Sequence, residues 1–165
     1  MHADRAVVGA GPGLGQLLPN RAVRLGVYAA DWRAAVRAAG SALVHVGATT
    51  ERYAEEMVAV VEQLGPYIVI APGIALAHAR PSQEVFRPAL SWVGLRTPVS
   101  FGHDTNDPVR VVIALAATDV TSHVTALRTL AGLLEDPARR QALLSAPHAT
   151  AVRSIIARFE ARRRR

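Results

Sequence analysis

The sequence contains no cysteine and no lysine. The absence of cysteine excludes disulfide bonds, thiol catalysis and cysteine-ligated metal sites. All nineteen basic residues are therefore arginine, which we attribute to the codon usage of a GC-rich genome and not to a chemical demand. Aromatic residues make up only 5% of the chain, and none is interleaved with a basic stretch in the way that would stack nucleic-acid bases.

Long apolar runs are also missing. No run approaches the ~20 residues that a membrane-spanning helix needs, and Met1–Arg5 lack the basic and then apolar pattern of a secretion signal. Half of the residues are nevertheless hydrophobic and 19% are charged, a composition typical of a globular domain and not of a disordered chain. We therefore expect a cytoplasmic protein without direct membrane insertion.

The formal net charge of +6 comes mainly from the last four residues, Arg162–Arg165. Without them the basic and acidic residues, fifteen and thirteen, nearly balance. Cations suit the carboxyl end of a helix, so a solvated helix end is the simplest interpretation. Binding of nucleic acid or of an acidic partner is the alternative, and we do not expect nucleic acid because no aromatic residues accompany the arginines.

The length of 165 residues predicts one domain. Residues 1–20 are rich in glycine and end at a proline, and we predict a flexible segment there followed by a single domain over 21–163. Apolar periodicity and turn residues predict strands over 23–30, 68–70, 88–94, 98–101 and 109–117. They predict helices over 32–46, 51–64, 122–134, 137–144 and 147–163. Helices alternating with strands predict an α/β fold whose sheet is covered on both faces.

The most informative stretch runs from Pro66 to Pro81. A short β-branched run is followed by a turn at Pro72-Gly73, and a second apolar run then leads directly into His78. Arg80 follows, and small alanines flank the histidine. An imidazole with space for a partner and a guanidinium nearby suits phosphoryl chemistry, because the arginine can neutralise phosphate charge.

The segment Gly73–Pro81 resembles the active-site loop of the type-2 enzyme IIA domains of the bacterial sugar phosphotransferase system. The resemblance is closest to the ascorbate branch and weaker to the mannitol/fructose branch. In that family the histidine of this loop carries the phosphoryl group, which implies His78 as the acceptor. One position departs from the family pattern, because Ala77 stands where the family has proline.

The resemblance covers roughly residues 17 to 158. It extends to several further segments in the expected order, namely Asp31-Trp32, Thr50 to Met57, Leu90-Ser91, Pro98 to Gly102, Asn106 to Val109 and Ala116 to His123. It implies a three-layer α/β/α sandwich around a mixed β-sheet and a phosphocarrier that needs no cofactor. The implied partners are the histidine-containing phosphocarrier protein, an enzyme IIB and a membrane enzyme IIC, and a homodimer is compatible with it.

Four residues are candidates for the site. His78 is the predicted phosphoryl acceptor, since an imidazole that titrates near neutrality offers a neutral nucleophilic nitrogen. His123 follows Thr121-Ser122 at a predicted helix start, where backbone N–H groups bind anions, so we expect it to stabilise the phosphoryl group. Arg80 is expected to help bind phosphate or a partner, with a plain surface arginine as the alternative. Ser91 is a weaker candidate for a hydrogen bond near the site.

Two other readings of the sequence are much weaker. Gly9 and Gly11 suggest a dinucleotide-binding loop, but Leu14 stands where its third glycine belongs. His78 and His123 could share a metal with Asp104 or Asp119, but no short ligand spacing is present. A regulatory or non-catalytic protein of the same fold, signalling by its phosphorylation state, is the principal alternative to a transport phosphocarrier, and Ala77 keeps it open.

Overall fold

The computed structural model describes residues 11–165. Its strands are β1 (Val23–Val27), β2 (Val69–Ala71), β3 (Ile74–His78), β4 (Ala89–Val99) and β5 (Val109–Ala116). Its helices are α1 (Leu14–Leu17), α2 (Trp32–His45), α3 (Glu51–Leu64), α4 (Val120–Glu135), α5 (Pro137–Leu144) and α6 (Ala149–Arg163). Two short 3₁₀ turns, at Asn20–Ala22 and Pro66–Ile68, precede β1 and β2.

The five strands form one mixed sheet in the order β1-β4-β5-β3-β2. Strand β5 lies at its centre, antiparallel to β4 and parallel to β3. Every residue of β5 except Arg110 is buried, as expected for a central strand covered on both faces. Because β3 and β5 are parallel, their carboxyl ends lie at the same edge of the sheet, and the residues that follow them meet there.

Helices cover both faces of the sheet. Ser91 of β4 points towards α2, since its hydroxyl donates a hydrogen bond to the carbonyl of Ala39 over 2.7 Å. The next residue, Trp92, points the opposite way and lines a small cavity together with Leu143 and Leu144 of α5. The structure thus confirms the predicted α/β/α sandwich around a mixed sheet.

The amino-terminal segment differs from its prediction. Residues 11–20 of the predicted flexible segment are described, and Leu14, Leu17 and Leu18 among them are buried in the core. The backbone N–H groups of Leu14 and Gly15 donate to the two carboxylate oxygens of Glu160 on α6, over 3.0 and 2.9 Å. Three leucines offset the entropic cost of ordering the neighbouring glycines. Residues 1–10 lie outside the described part of the chain.

Several predicted element boundaries are also wrong, and two of the differences have a clear physical cause. The strands predicted over 88–94 and 98–101 are one strand, β4, whose pairing with β5 is interrupted between Gly94 and Val99. Pro98 is tolerated there because the interruption leaves no ladder hydrogen bond for it to break. Helix α4 begins earlier than predicted, because the Asp119 carboxylate accepts from the backbone N–H of Ser122 over 2.8 Å and so caps it.

Replacing Leu14 by alanine tests whether α1 belongs to the domain. Leu14 is 2% exposed, so Leu14→Ala should lower the free energy of unfolding by about 2–4 kcal/mol, as buried leucine truncations do. The control is Leu64→Ala, at a leucine that is 68% exposed, and it should change stability little. Equal stability of both variants in urea unfolding would show that α1 contributes nothing to the core.

Candidate active site at the carboxyl ends of β3 and β5

A short hairpin places His78 at the edge of the sheet. Strands β2 and β3 pair antiparallel around the turn at Pro72-Gly73, as the sequence predicts. Gly73 has a φ of 76°, a left-handed conformation that favours glycine. His78 is the last residue of β3 and pairs with Leu115 of β5, so the ladder fixes the position of its backbone at the end of the strand.

One hydrogen bond determines the tautomer of His78. Its Nδ1 lies 3.0 Å from the carbonyl oxygen of Leu76. A carbonyl oxygen can only accept, so Nδ1 carries the proton and the neutral ring keeps its lone pair on Nε2. Burial lowers the pKa of His78, and the bond to Leu76 offsets this only in part. His78 is therefore a neutral imidazole with a nucleophilic Nε2 at physiological pH.

His123 lies against His78. The two ring centroids are 5.2 Å apart and the rings meet edge to face. The Nδ1 atom of His123 is buried and has no hydrogen-bond partner within residues 11–165. Burial lowers the pKa of His123, and repulsion from a charged His78 lowers it further. The two predicted histidines thus form one site, and His123 holds a buried polar nitrogen that a bound group could satisfy.

The expected anion site at the start of α4 is not present. The Asp119 carboxylate accepts from the backbone N–H and the hydroxyl of Ser122, and these bonds lower the pKa of Asp119. The backbone N–H of His123 donates to the carbonyl of Asp119 over 3.1 Å. A carboxylate already fills the helix start, so any contribution of His123 to phosphate binding comes from its imidazole.

Tyr53 of α3 holds the backbone of the site in place and was not among the predicted site residues. Its hydroxyl donates to the carbonyl of Leu115 over 2.6 Å and accepts from the backbone N–H of Ala79 over 3.1 Å. It thereby ties the residue after His78 to the register partner of His78. Burial raises the pKa of Tyr53 to about 12, so the hydroxyl stays protonated. Its helical spacing with Met57 predicted only a core position, and a buried tyrosine needs a partner for its hydroxyl.

The other two predicted site residues lie elsewhere. Arg80 is exposed and has no hydrogen bond or ion pair with another described residue, so it is free to meet a ligand or a partner. Ser91 is fully buried on the opposite face, bonded to Ala39 of α2. The prediction that Ser91 hydrogen-bonds near the site is therefore wrong, because strand alternation turns its side chain away from His78.

Exposed apolar side chains border the histidine pair. The rings of Tyr67 and His78 meet edge to face, with their centroids 6.2 Å apart. Val120 and Val124 lie close to His123 in the sequence of α4. These three residues, which we call the apolar rim, are 46%, 69% and 40% exposed. Ala77 and Ala79, the small residues that were expected to leave space for a partner beside His78, are buried instead. Their small side chains pack inside the sandwich, and Ala77 pairs with Ala114 of β5.

The described residues offer little for a resident metal. Within residues 11–165 no three histidine, aspartate or glutamate side chains are grouped so that they could hold an ion. None of the helices in that part of the chain is long and apolar enough to cross a membrane. The first glycine of the supposed dinucleotide-binding loop, Gly9, lies outside the described residues.

The family model described as phosphoenolpyruvate-dependent sugar phosphotransferase system, EIIA 2, matches residues 16–159. The chain belongs to this family. It is 36% identical over 146 residues to the ascorbate-specific PTS system EIIA component of Salmonella choleraesuis, which covers 88% of this chain and 95% of that protein. Members of the family are relay components of a phosphotransferase, as the resemblance implied.

Solved structures show the same fold. The mannitol-specific cryptic phosphotransferase enzyme IIA CmtB from Escherichia coli superimposes with a TM-score of 0.79 at 29% identity, covering 89% of this chain and 99% of that one. A second similar structure is the IIA chain in the complex of enzyme IIA and phosphorylated enzyme IIB for mannitol from Escherichia coli. It has a TM-score of 0.75 at 25% identity and covers 86% of this chain and 99% of that one.

Replacing Tyr53 by phenylalanine tests its support of the site. Tyr53→Phe leaves the Ala79 N–H and the Leu115 carbonyl without their buried partner, so it should lower the free energy of unfolding by about 1–3 kcal/mol. It should also loosen His78, seen as faster amide exchange at Ala79. The matched control is Tyr28→Phe, at a tyrosine that is 63% exposed. If both variants match the parent in urea unfolding and in exchange, Tyr53 does not hold the site.

Proposed function

We propose that the protein is a cytoplasmic phosphocarrier whose His78 accepts a phosphoryl group on Nε2 from the histidine-containing phosphocarrier protein. It then passes the group to an enzyme IIB that serves a membrane enzyme IIC. The observation that carries this proposal is the hydrogen bond from His78 Nδ1 to Leu76, which leaves Nε2 free beside a second imidazole. The transport role is favoured over a non-catalytic one because both histidines are present and in contact.

The transfer step follows from this geometry. The Nε2 lone pair of His78 attacks the phosphorus of the donor's phosphohistidine, a new P–N bond forms, and the donor's P–N bond breaks. The donor imidazole leaves with that electron pair. The proton on His78 Nδ1 stays in its bond to the Leu76 carbonyl, which stabilises the positive charge that develops on the phosphorylated ring. The same step in reverse delivers the group to enzyme IIB.

His123 completes the site in this proposal. A phosphoryl group on His78 would lie beside His123, because the centroids of the two rings are only 5.2 Å apart. Its oxygens would give His123 the hydrogen-bond partner that its ring lacks among the described residues. Donors placed in advance where charge develops are an effective means of catalysis. The neutral form of His123, favoured by burial, still carries one N–H for this purpose.

The apolar rim suits transient partners. Tyr67, Val120 and Val124 give a small apolar centre around the histidines, as expected where two carriers meet briefly and separate. The exposed Arg80 can add charge attraction at its edge. Ala77 need not stiffen the approach to His78 as a proline would, because β3 stays paired with β5 through His78 itself. Homodimerisation stays a prediction.

The first test is phosphorylation of His78. With phosphoenolpyruvate, enzyme I and the carrier protein, the parent chain should take up one acid-labile phosphate, and His78→Ala should take up none. His45→Ala, at an exposed histidine on α2, is the control and should label normally. Because burial lowers the pKa of His78, uptake should decline in acid at a lower pH than it would for an unperturbed histidine. Normal labelling of His78→Ala would refute the assignment.

A second test separates the roles of the two histidines. His123→Ala removes a hydrogen-bond donor to the transferring group, so phosphorylation should slow by about 100-fold or more. The label should remain on His78. His123→Gln keeps a donor and should recover part of the rate. Quenched-flow kinetics would measure the rate of phosphorylation, and peptide mapping would identify the labelled histidine. Parental rates in both variants, or label on His123, would show that the roles are assigned wrongly.

A third test concerns docking at the apolar rim. Val124→Glu places a charge beside His123 where a partner packs, so transfer from the carrier protein should slow, mainly through weaker binding of the partner. Tyr28→Glu places the same charge after β1, at the opposite end of the sheet, and is the control. Transfer rates at several carrier concentrations separate binding from chemistry. Equal rates in the two variants would show that partners approach elsewhere.

A further inference from the structure

A second cavity lies behind the histidine pair, between α4, α6 and the segment that carries α1. Its volume is about 680 Å³, within the range of small-molecule sites. The end of β5 forms its floor, at Leu115 to Ala117. Neither His78 nor His123 lines it, so the phosphocarrier function does not use it.

One wall of this cavity is a row of hydroxyl groups on α4. Thr121, Thr125 and Thr129 line it one helical turn apart. The Thr125 hydroxyl donates to the carbonyl of Thr121 over 2.9 Å, and the Thr129 hydroxyl donates to the carbonyl of Thr125 over 3.0 Å. The hydroxyl protons of Thr125 and Thr129 are thereby used within the helix, and their oxygens remain as acceptors. Such a row suits a ligand with several hydroxyl donors.

The opposite wall is cationic. Arg163, the last residue of α6, and Arg164, which follows it, line the cavity. Neither forms an ion pair or side-chain hydrogen bond with another residue in 11–165. Glu160 also faces the cavity, but both of its oxygens already accept backbone N–H groups of α1. Two guanidinium groups offer paired donors that fit a phosphate.

The composition of the lining narrows the class of ligand. Among the described residues that line the cavity there is no aromatic side chain, so a nucleotide base would find nothing to stack on. Acceptors for hydroxyls on one wall and donors for a phosphate on the other match a sugar phosphate. We infer that the cavity between α4 and α6 is a binding site for a sugar phosphate.

The cavity lies close enough to the histidine pair for a bound ligand to affect phosphorylation of His78. Leu115, in its floor, is the register partner of His78, and Thr121 and Ser122 in its wall directly precede His123 on α4. A dianion bound there adds negative charge near the place where a phosphoryl group arrives. Binding should therefore slow phosphorylation of His78. This consequence rests on the proposed phosphocarrier function, whereas the binding site itself does not.

Binding is tested on the full chain alone, without the phosphorylation partners. Glucose 6-phosphate, glucose, inorganic phosphate and AMP are titrated separately, and the backbone amide shifts are followed by NMR. We expect saturable shifts at Thr121, Thr125 and Arg163 with glucose 6-phosphate, and much weaker ones with glucose or phosphate. Arg163→Ala should weaken binding of glucose 6-phosphate by about tenfold. The double variant that also carries Thr125→Val should bind more weakly still. Arg158→Ala, an exposed arginine of α6 outside the cavity, is the charge-matched control.

The outcomes separate the possible results. No saturable binding of glucose 6-phosphate, or equal loss in Arg158→Ala and Arg163→Ala, would overturn the site. Equal binding of inorganic phosphate or of AMP would overturn the sugar phosphate as its ligand. In a second arm, saturating glucose 6-phosphate should lower the rate of His78 phosphorylation in the parent and less in Arg163→Ala. Binding with an unchanged rate would overturn the regulatory consequence, and a chain that binds but is never phosphorylated would refute only the phosphocarrier function.

Discussion

The parallel pairing of β3 with β5 is the constraint on which the site depends. It places His78 beside Leu115 and brings the chain that follows β5 to the same edge, so that the first turn of α4 carries His123 against His78. Tyr53 fixes this arrangement from the α3 side by bridging Ala79 and Leu115. That pairing brings into contact two histidines that are 45 positions apart in the sequence.

The environment of the pair explains its chemistry. The sheet edge is apolar and partly closed, so the charged forms of both imidazoles are disfavoured and their pKa values fall. A neutral His78 is a nucleophile, and the Leu76 carbonyl selects which nitrogen acts. The surrounding surface stays apolar and small, which suits partners that must separate after each transfer. Under the proposed function, this one arrangement supplies the nucleophile, the hydrogen-bond donor and the docking surface.

The errors of the sequence-based predictions have physical causes. Asp119 was not foreseen as the cap of α4, and its carboxylate occupies the helix start by accepting from the backbone N–H of Ser122. Ser91 belongs to a segment that resembles the family, but strand alternation turns its side chain towards α2. The glycines of the amino-terminal segment suggested flexibility, whereas the buried Leu14, Leu17 and Leu18 and the bonds to Glu160 order its described part.

The sequence alone determined the alternation of helices and strands, the hairpin that leads to His78 and the family to which the chain belongs, because these depend on local patterns and on a motif. Only the tertiary structure decided which nitrogen of His78 is free, that Tyr53 supports it, that Ala77 and Ala79 are buried, and that a hydroxyl-lined cavity lies behind α4. These features depend on contacts between residues far apart in the chain, and no local pattern records the direction in which a side chain points once the layers have packed.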